Sequence, residues 1–179
     1  MRRLMMLVGV ATMAAGCASS APSPTPSAAP APAAGEMHEL DGIRYQDIVI
    51  GAGEEMVPRR CVYTHYTGWL PDGRKFDSSR DTVARGVAPE PVAFPQGAKR
   101  VIDGWEVGFA GMRVGGKRRL FVPYQMGYGD KGSPPTIPAR ADLVFEVELM
   151  AVAPQVRRDE AFAGRSAPQC PPWRTVNGR

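Results

Sequence analysis

Alternation of apolar and polar positions, punctuated by turn residues, divides the chain from Asp41 to Pro154 into short strand-like runs around one helical stretch. Ile43, Tyr45, Ile48 and Ile50 mark a first run that ends at Gly51-Ala52-Gly53. That glycine pair lacks the third glycine and the following helix of a dinucleotide fingerprint, so it reads as a turn. Arg60 to Trp69 alternates, with Val62, Thr64 and Tyr66 on one face and Cys61, Tyr63 and His65 on the other. Pro71-Asp72-Gly73 supplies the residues a tight turn favours, and Lys75-Phe76-Asp77-Ser78-Ser79 leads away from it. The resulting hairpin holds Tyr66, Phe76 and Asp77 near one another.

Pro89 and Pro91 make the stretch from Asp81 to Val92 irregular or an edge, continued by Phe94-Pro95 and a turn at Gln96-Gly97. Asp103-Gly104-Trp105-Glu106 has the spacing of an N-terminal capping arrangement, with Asp at the cap and Glu three residues on. Trp105, Phe109 and Met112 then recur on one helical face, and the helix ends near Gly111. Arg118 to Val122 and Asp142 to Val152 read as strands. In the second, Leu143, Phe145, Val147 and Leu149 form an apolar face, while Glu146 and Glu148 belong to a solvated one. The Lys117-Arg118-Arg119 run reads as a solvated edge. The expected architecture is α+β: a twisted antiparallel sheet wrapped around one short helix.

Both ends depart from this pattern. Arg2 and Arg3 precede a twelve-residue apolar run, Leu4 to Ala15, that is too short to span the roughly 30 Å hydrocarbon core comfortably. It reads as an export signal over residues 1–16. Residues 17–36 are mostly Ala, Pro and Ser and offer no large apolar side chain before Met37, so they read as an extended, semi-stiff tether. The folded domain is expected over 37–153. Residues 154–179 lack a period and read as a loose tail, with Trp173 a hint of docking.

Composition narrows the functional classes. The 179-residue chain has 22 basic and 18 acidic residues, and without Arg2 and Arg3 the excess is only +2, which gives no reason to expect a nucleic-acid partner. His38 and His65 have no metal-ligand spacing. No nucleophile elbow surrounds Ser78 or Ser79. Export would permit a Cys61–Cys170 disulfide, but a strand position suits Cys61 as a buried free thiol, the favoured reading.

The series His65-Tyr66-Thr67-Gly68, Lys75-Phe76-Asp77-Ser78-Ser79-Arg80-Asp81, Val101-Ile102-Asp103-Gly104-Trp105-Glu106, Tyr128-Gly129-Asp130, Ile137-Pro138 and Leu143 to Leu149 resembles the FKBP-type peptidyl-prolyl cis–trans isomerases over about Gly42 to Val152. The resemblance implies that Tyr66, Phe76, Val101, Ile102, Trp105, Tyr128 and Phe145 form a proline cavity with Trp105 as its floor. It implies that Asp77 faces the isomerising carbonyl and helps orient Tyr128. The Tyr128 hydroxyl and the Ile102 N–H would hold the peptide, and Ile137 would close one rim. Val92 stands where an aromatic wall residue is common, Ser133 where a rim histidine is frequent, and the loop after Asp81 is longer. No cofactor, metal or covalent intermediate is implied.

Ala14-Ala15-Gly16-Cys17 in turn resembles a bacterial lipoprotein box, which implies lipidation at Cys17. Ala18 after it implies an outer-membrane destination on the periplasmic side, and an ordinary secretory cut is the alternative. The expected partners are proline-containing unfolded envelope proteins, the membrane and macrolide inhibitors, with the protein a monomer. A chaperone or docking scaffold with weak isomerase activity is the competing reading, although no long amphipathic helix offers an arm for it.

Overall fold

The computed structural model describes residues 35–81, 88–157 and 168–177. The expected signal and lipid-attachment cysteine lie outside them, as do all but the end of the tether and the middle of the loop after Asp81.

The main sheet is antiparallel throughout and has seven strands: β1 (Met37–Leu40), β2 (Ile43–Val49), β3 (Arg60–Trp69), β4 (Lys75–Ser78), β5 (Val92–Pro95), β6 (Lys117–Val122) and β7 (Leu143–Pro154). Its order is β1-β2-β6-β7-β3-β4, and β5 also pairs with β3. Helix α1 (Asp103–Gly108) crosses the concave face. Two glycines let it come close: a methyl group at Gly104 would sit 2.5 Å from Val122, and one at Gly108 would sit 2.7 Å from Leu120. Between helix and sheet lies one core that includes Ile43, Val62, Phe94, Phe109, Leu120 and Leu149.

The Leu143–Leu149 alternation appears as written, with the four apolar residues buried and the residues between them partly exposed. In β2 a register shift between Asp47 and Val49 breaks the period. Ile48 and Ile50 therefore face outward, and Gln46 is buried.

Three expectations are corrected. The basic run Lys117-Arg118-Arg119 is not a solvated edge, because β6 lies inside the sheet between β2 and β7. Arg118 and Arg119 are buried and paired with Asp47 and Glu146 on those neighbours. Burial of such charges is tolerated only with partners.

Secondly, the C-terminal tail is not loose over its described part. Residues 168–177 are docked: β8 (Val156–Arg157) pairs with β9 (Pro168–Gln169), and a short α2 (Trp173–Val176) follows. Trp173 packs on Tyr63 at 5.6 Å between ring centroids, and the Tyr63 hydroxyl donates to the Pro171 carbonyl at 2.5 Å.

Thirdly, Cys61 is not a free thiol but is joined to Cys170 by a disulfide. Cys61, Tyr63 and Ala153 thus form a second small core under the tail, which is why β3 is buried on both faces there.

Candidate functional site

At the Trp69 end of the concave face, four aromatic side chains converge from three strands and the helix. Tyr66 meets Trp105 edge-on at 4.9 Å between centroids. Phe145 stands 5.4 Å from Trp105, 5.5 Å from Phe76 and 6.3 Å from Tyr66. Edge-to-face contacts of this kind fix ring orientation beyond what area burial does. Trp105 and Phe145 are buried, whereas Tyr66 and Phe76 are partly exposed, so the group forms an open apolar cup with Trp105 at its base.

Local structure explains how each ring gets there. Tyr66 and Gly68 are successive inward positions of β3, and Gly68 faces Asp77 across the β3–β4 pairing. A methyl group on Gly68 would lie 2.5 Å from Phe76 and 3.0 Å from Phe145, so the glycine leaves the space those rings occupy. The Tyr66 backbone is pinned from both sides: its N–H donates to Ser79 Oγ and its carbonyl accepts from Ser78 Oγ, each at 3.0 Å.

The polar rim is built around Asp77. The Tyr66 hydroxyl donates to Asp77 Oδ2 at 2.5 Å, and the Ser78 N–H donates to Asp77 Oδ1 at 2.8 Å. Burial, then this bond and the Asp77 charge, push the Tyr66 phenol well above tyrosine's ordinary range. Tyr128 leads into the short 3-10 turn Gly129–Lys131 and is 42% exposed. Its phenol is also raised, by burial first and the Asp77 charge second. No hydrogen bond joins Tyr128 to Asp77 among the described residues. The expectation that Asp77 orients Tyr128 is therefore corrected: the carboxylate holds Tyr66.

Val101 and Ile102 lead into α1, which carries Trp105, and both are partly buried against the core. Ile102 occupies the N-cap of α1, so the expected cap at Asp103 is shifted by one residue, and no side chain caps the helix. The Ile102 carbonyl accepts from the Trp105 and Glu106 N–H groups at 2.9 and 3.2 Å. Its own N–H has no partner among the described residues.

Two expected residues sit differently. Ile137 is buried within the core, and its backbone exchanges two 2.9 Å hydrogen bonds with Ser133, so it anchors the Tyr128 loop from below and is not an open rim. Val92 begins β5 opposite Thr64 and is 38% exposed, outside the packed cluster.

Phe94, not among the expected site residues, packs 5.7 Å from Trp105 and 5.6 Å from Phe109. Alternation gave no signal for it, because burial along β5 runs exposed at Val92 and Ala93 and buried at Phe94 and Pro95. Gly68 carried no signal by itself, because its need arises from the rings of two other strands.

Two open clefts of about 530 Å³ each lie elsewhere. One runs between the β1–β2 turn and the start of β7, and the other surrounds Arg80, Lys117 and Glu148 on the outer face. Neither gathers the aromatic rings. Among the described residues no group of His, Cys, Asp and Glu side chains could hold a metal ion.

Comparison with known proteins agrees with this geometry. A family model described as FKBP-type peptidyl-prolyl cis-trans isomerase matches residues 53–150. An "FK506-binding protein" of Neisseria meningitidis serogroup B is 44% identical over 113 residues, which are 63% of this chain and 98% of that protein. The crystal structure of a peptidyl-prolyl cis-trans isomerase from Pseudomonas syringae pv. tomato matches at 34% identity and TM-score 0.56, over 65% of this chain and 80% of that one. FkpA from Escherichia coli matches at 37% identity and TM-score 0.56, over 66% of this chain and 52% of that one.

Proposed function

The chain belongs to the FKBP-type peptidyl-prolyl cis–trans isomerases, and we propose that the cup of Tyr66, Phe76, Trp105 and Phe145 is where it turns the X–Pro bond. The observation that carries this reading is the convergence of those rings beside a carboxylate locked by Tyr66.

The chemistry follows from the amide itself. Resonance makes the planar bond polar and raises a barrier of roughly 18–20 kcal/mol to rotation. At the twisted transition state that resonance is lost and charge separation falls. A cup of aromatic faces receives the proline ring, removes water and so disfavours the planar state relative to the twisted one. The Ile102 N–H and the Tyr128 hydroxyl donate to peptide carbonyls and hold the chain while one bond turns. Asp77, fixed by Tyr66 and the Ser78 N–H, sets a negative charge at the rim beside the turning carbonyl. The Tyr66 and Tyr128 phenols, like any tyrosine, are protonated and able to donate across the physiological range, and burial raises the pKa of both further.

The setting proposed for this activity is the cell envelope. The Cys61–Cys170 disulfide supports an oxidising compartment, because such bonds persist outside the reducing cytosol. Arg2-Arg3, the apolar run and Ala14 to Cys17 support export with a lipid on Cys17, at the periplasmic side of the outer membrane. The clients would be unfolded envelope proteins whose X–Pro bonds isomerise slowly enough to limit folding.

The test is cis-to-trans turnover of a blocked X–Pro tetrapeptide by the purified protein, with and without rapamycin. Fast turnover that falls at least about 10-fold in Asp77→Ala, the loss expected for a charge-assisted contact, supports the cup. No turnover by the folded protein, with unfolded clients still bound, would make it a docking scaffold. Mass spectrometry of the mature N-terminus, compared with Cys17→Ser, decides the anchor.

A further inference from the structure

In a capping box the glutamate at the third helical position reaches back to the N–H of its own N-cap. Had α1 started one residue later, as its sequence suggests, Glu106 would do this. Here the N-cap is Ile102, Glu106 sits one position too far along, and its carboxylate turns elsewhere. Glu106 Oε2 accepts from the Gly97 N–H at 2.6 Å and Oε1 from the Lys99 N–H at 2.8 Å. The residue is buried, at 7% exposure, so both oxygens are committed inside the protein.

The turn it grips holds a lysine in a conformation that lysine disfavours. Lys99 has φ of +54° and Gly97 has φ of +83°. For a lysine the left-handed region is unfavourable, and such a conformation persists only where the surroundings over-determine it. The clamp is reinforced at both ends: Gln96 Nε2 donates to the Glu106 carbonyl at 2.9 Å, and Lys99 Nζ pairs with Asp103 at 2.7 Å. Three residues beyond Lys99 comes Ile102, whose N–H has no partner among the described residues, and two residues before Glu106 is Gly104, pressed on Val122. A turn fixed on one side and a helix packed on the other leave Val101 and Ile102 a single path across the rim.

We propose that Glu106 is a positioning residue for isomerisation. By holding the Gly97–Lys99 turn, and not capping its own helix, it both aims the Ile102 N–H at the peptide carbonyl and leaves that N–H unoccupied. The inference rests on the reading, given above, that Ile102 donates to the substrate. Because that hydrogen bond is made in the planar and the twisted states alike, its loss weakens binding uniformly.

The experiment follows 15N-labelled protein during titration with a blocked X–Pro tetrapeptide, alongside steady-state turnover, for the wild type and Glu106→Gln. Glutamine keeps the volume but offers one acceptor oxygen, and turns an NH2 donor towards the other N–H. The expected result is a peptide-dependent shift of the Ile102 amide resonance in the wild type that is lost in Glu106→Gln. KM should rise about tenfold while kcat stays within about twofold, as for lost uniform binding. Adding Lys99→Gly, which removes the left-handed penalty, should recover part of KM, a rescue that general loss of packing would not produce. If the wild-type Ile102 resonance does not respond, the donor reading fails, whatever Glu106 does. If it responds and Glu106→Gln keeps the wild-type KM, the positioning role is overturned. Should Glu106→Gln not fold, Glu106→Asp replaces it: the shorter side chain cannot keep both bonds, and an unchanged KM in that folded variant would likewise overturn the proposal.

Discussion

Gly68 shows how a residue without a side chain shapes the cup. A methyl group there would meet the Phe76 ring at 2.5 Å, and Phe76 rests on Phe145. Gly68→Ala must therefore push two rings out of their edge-to-face contact. We expect it to cost about 1–3 kcal/mol in denaturant unfolding, the usual range for overpacking. Turnover of the X–Pro tetrapeptide should fall at least about 10-fold, because the proline ring loses its space. Wild-type turnover in Gly68→Ala would mean that the cup is not where proline sits.

His65, on the opposite face of the same strand, is a titration case. Its Nδ1 lies 3.0 Å from Ser79 Oγ. Burial first, and Arg80 second, hold its pKa below the ordinary value, and Glu148 opposes them. With the folded-state pKa depressed, the unfolded chain takes up a proton first as pH falls. Stability is then lost below the unfolded value of about 6.5, down to the folded-state pKa. The urea midpoint should drop between about pH 7.5 and about pH 5.5, and drop less in His65→Gln. Equal drops would show that His65 does not couple folding to pH.

At the scale of elements, α1 is only six residues long and cannot be stable by propensity. Its far end is held by Arg118 of β6, whose Nη1 donates to the Gly108 and Ala110 carbonyls at 3.0 and 2.9 Å. The same guanidinium pairs with Asp47 of β2 at 2.7 Å and lies 4.0 Å from the Tyr45 ring centroid. One buried cation thus ties helix to sheet at the end remote from the cup. Arg118→Met would strand those carbonyls and Asp47, at a cost of about 3 kcal/mol in unfolding free energy. Because α1 carries Trp105, turnover should fall as well. A loss below about 1 kcal/mol would class the pair with surface bridges that contribute little.

Taken whole, the molecule is closed by its C-terminal segment. The Cys61–Cys170 bond spans 109 residues, and Trp173 and Pro171 complete a lid over Tyr63. This lid covers the convex side of β3, whereas the cup opens on the concave side. Cys170→Ser should therefore lower unfolding free energy by about 2–5 kcal/mol and leave kcat/KM near wild type at temperatures well below melting. If turnover fell in step with stability, the lid would be shaping the cup through β3.

Much of this was legible in order along the chain. The strands Arg60–Trp69 and Leu143 onwards announce themselves because a half-buried sheet imposes a period of two, and Tyr66, Phe76, Asp77, Trp105 and Phe145 stand in a recognisable series. Local periodicity and turn sterics suffice for that, since each depends on neighbours a few residues apart. Tertiary structure decided what depends on distant partners. It placed Arg118 and Arg119 inside the sheet, because strand order is set by pairing across the fold. It joined Cys61 to Cys170 and docked Trp173, because nothing local encodes the path of a tail. It gave the Asp77 carboxylate to Tyr66, and it shifted the cap of α1 to Ile102, sending Glu106 to the preceding turn. A capping pattern in sequence states which bonds a carboxylate can make. Only the packed chain determines which buried N–H groups are left needing one.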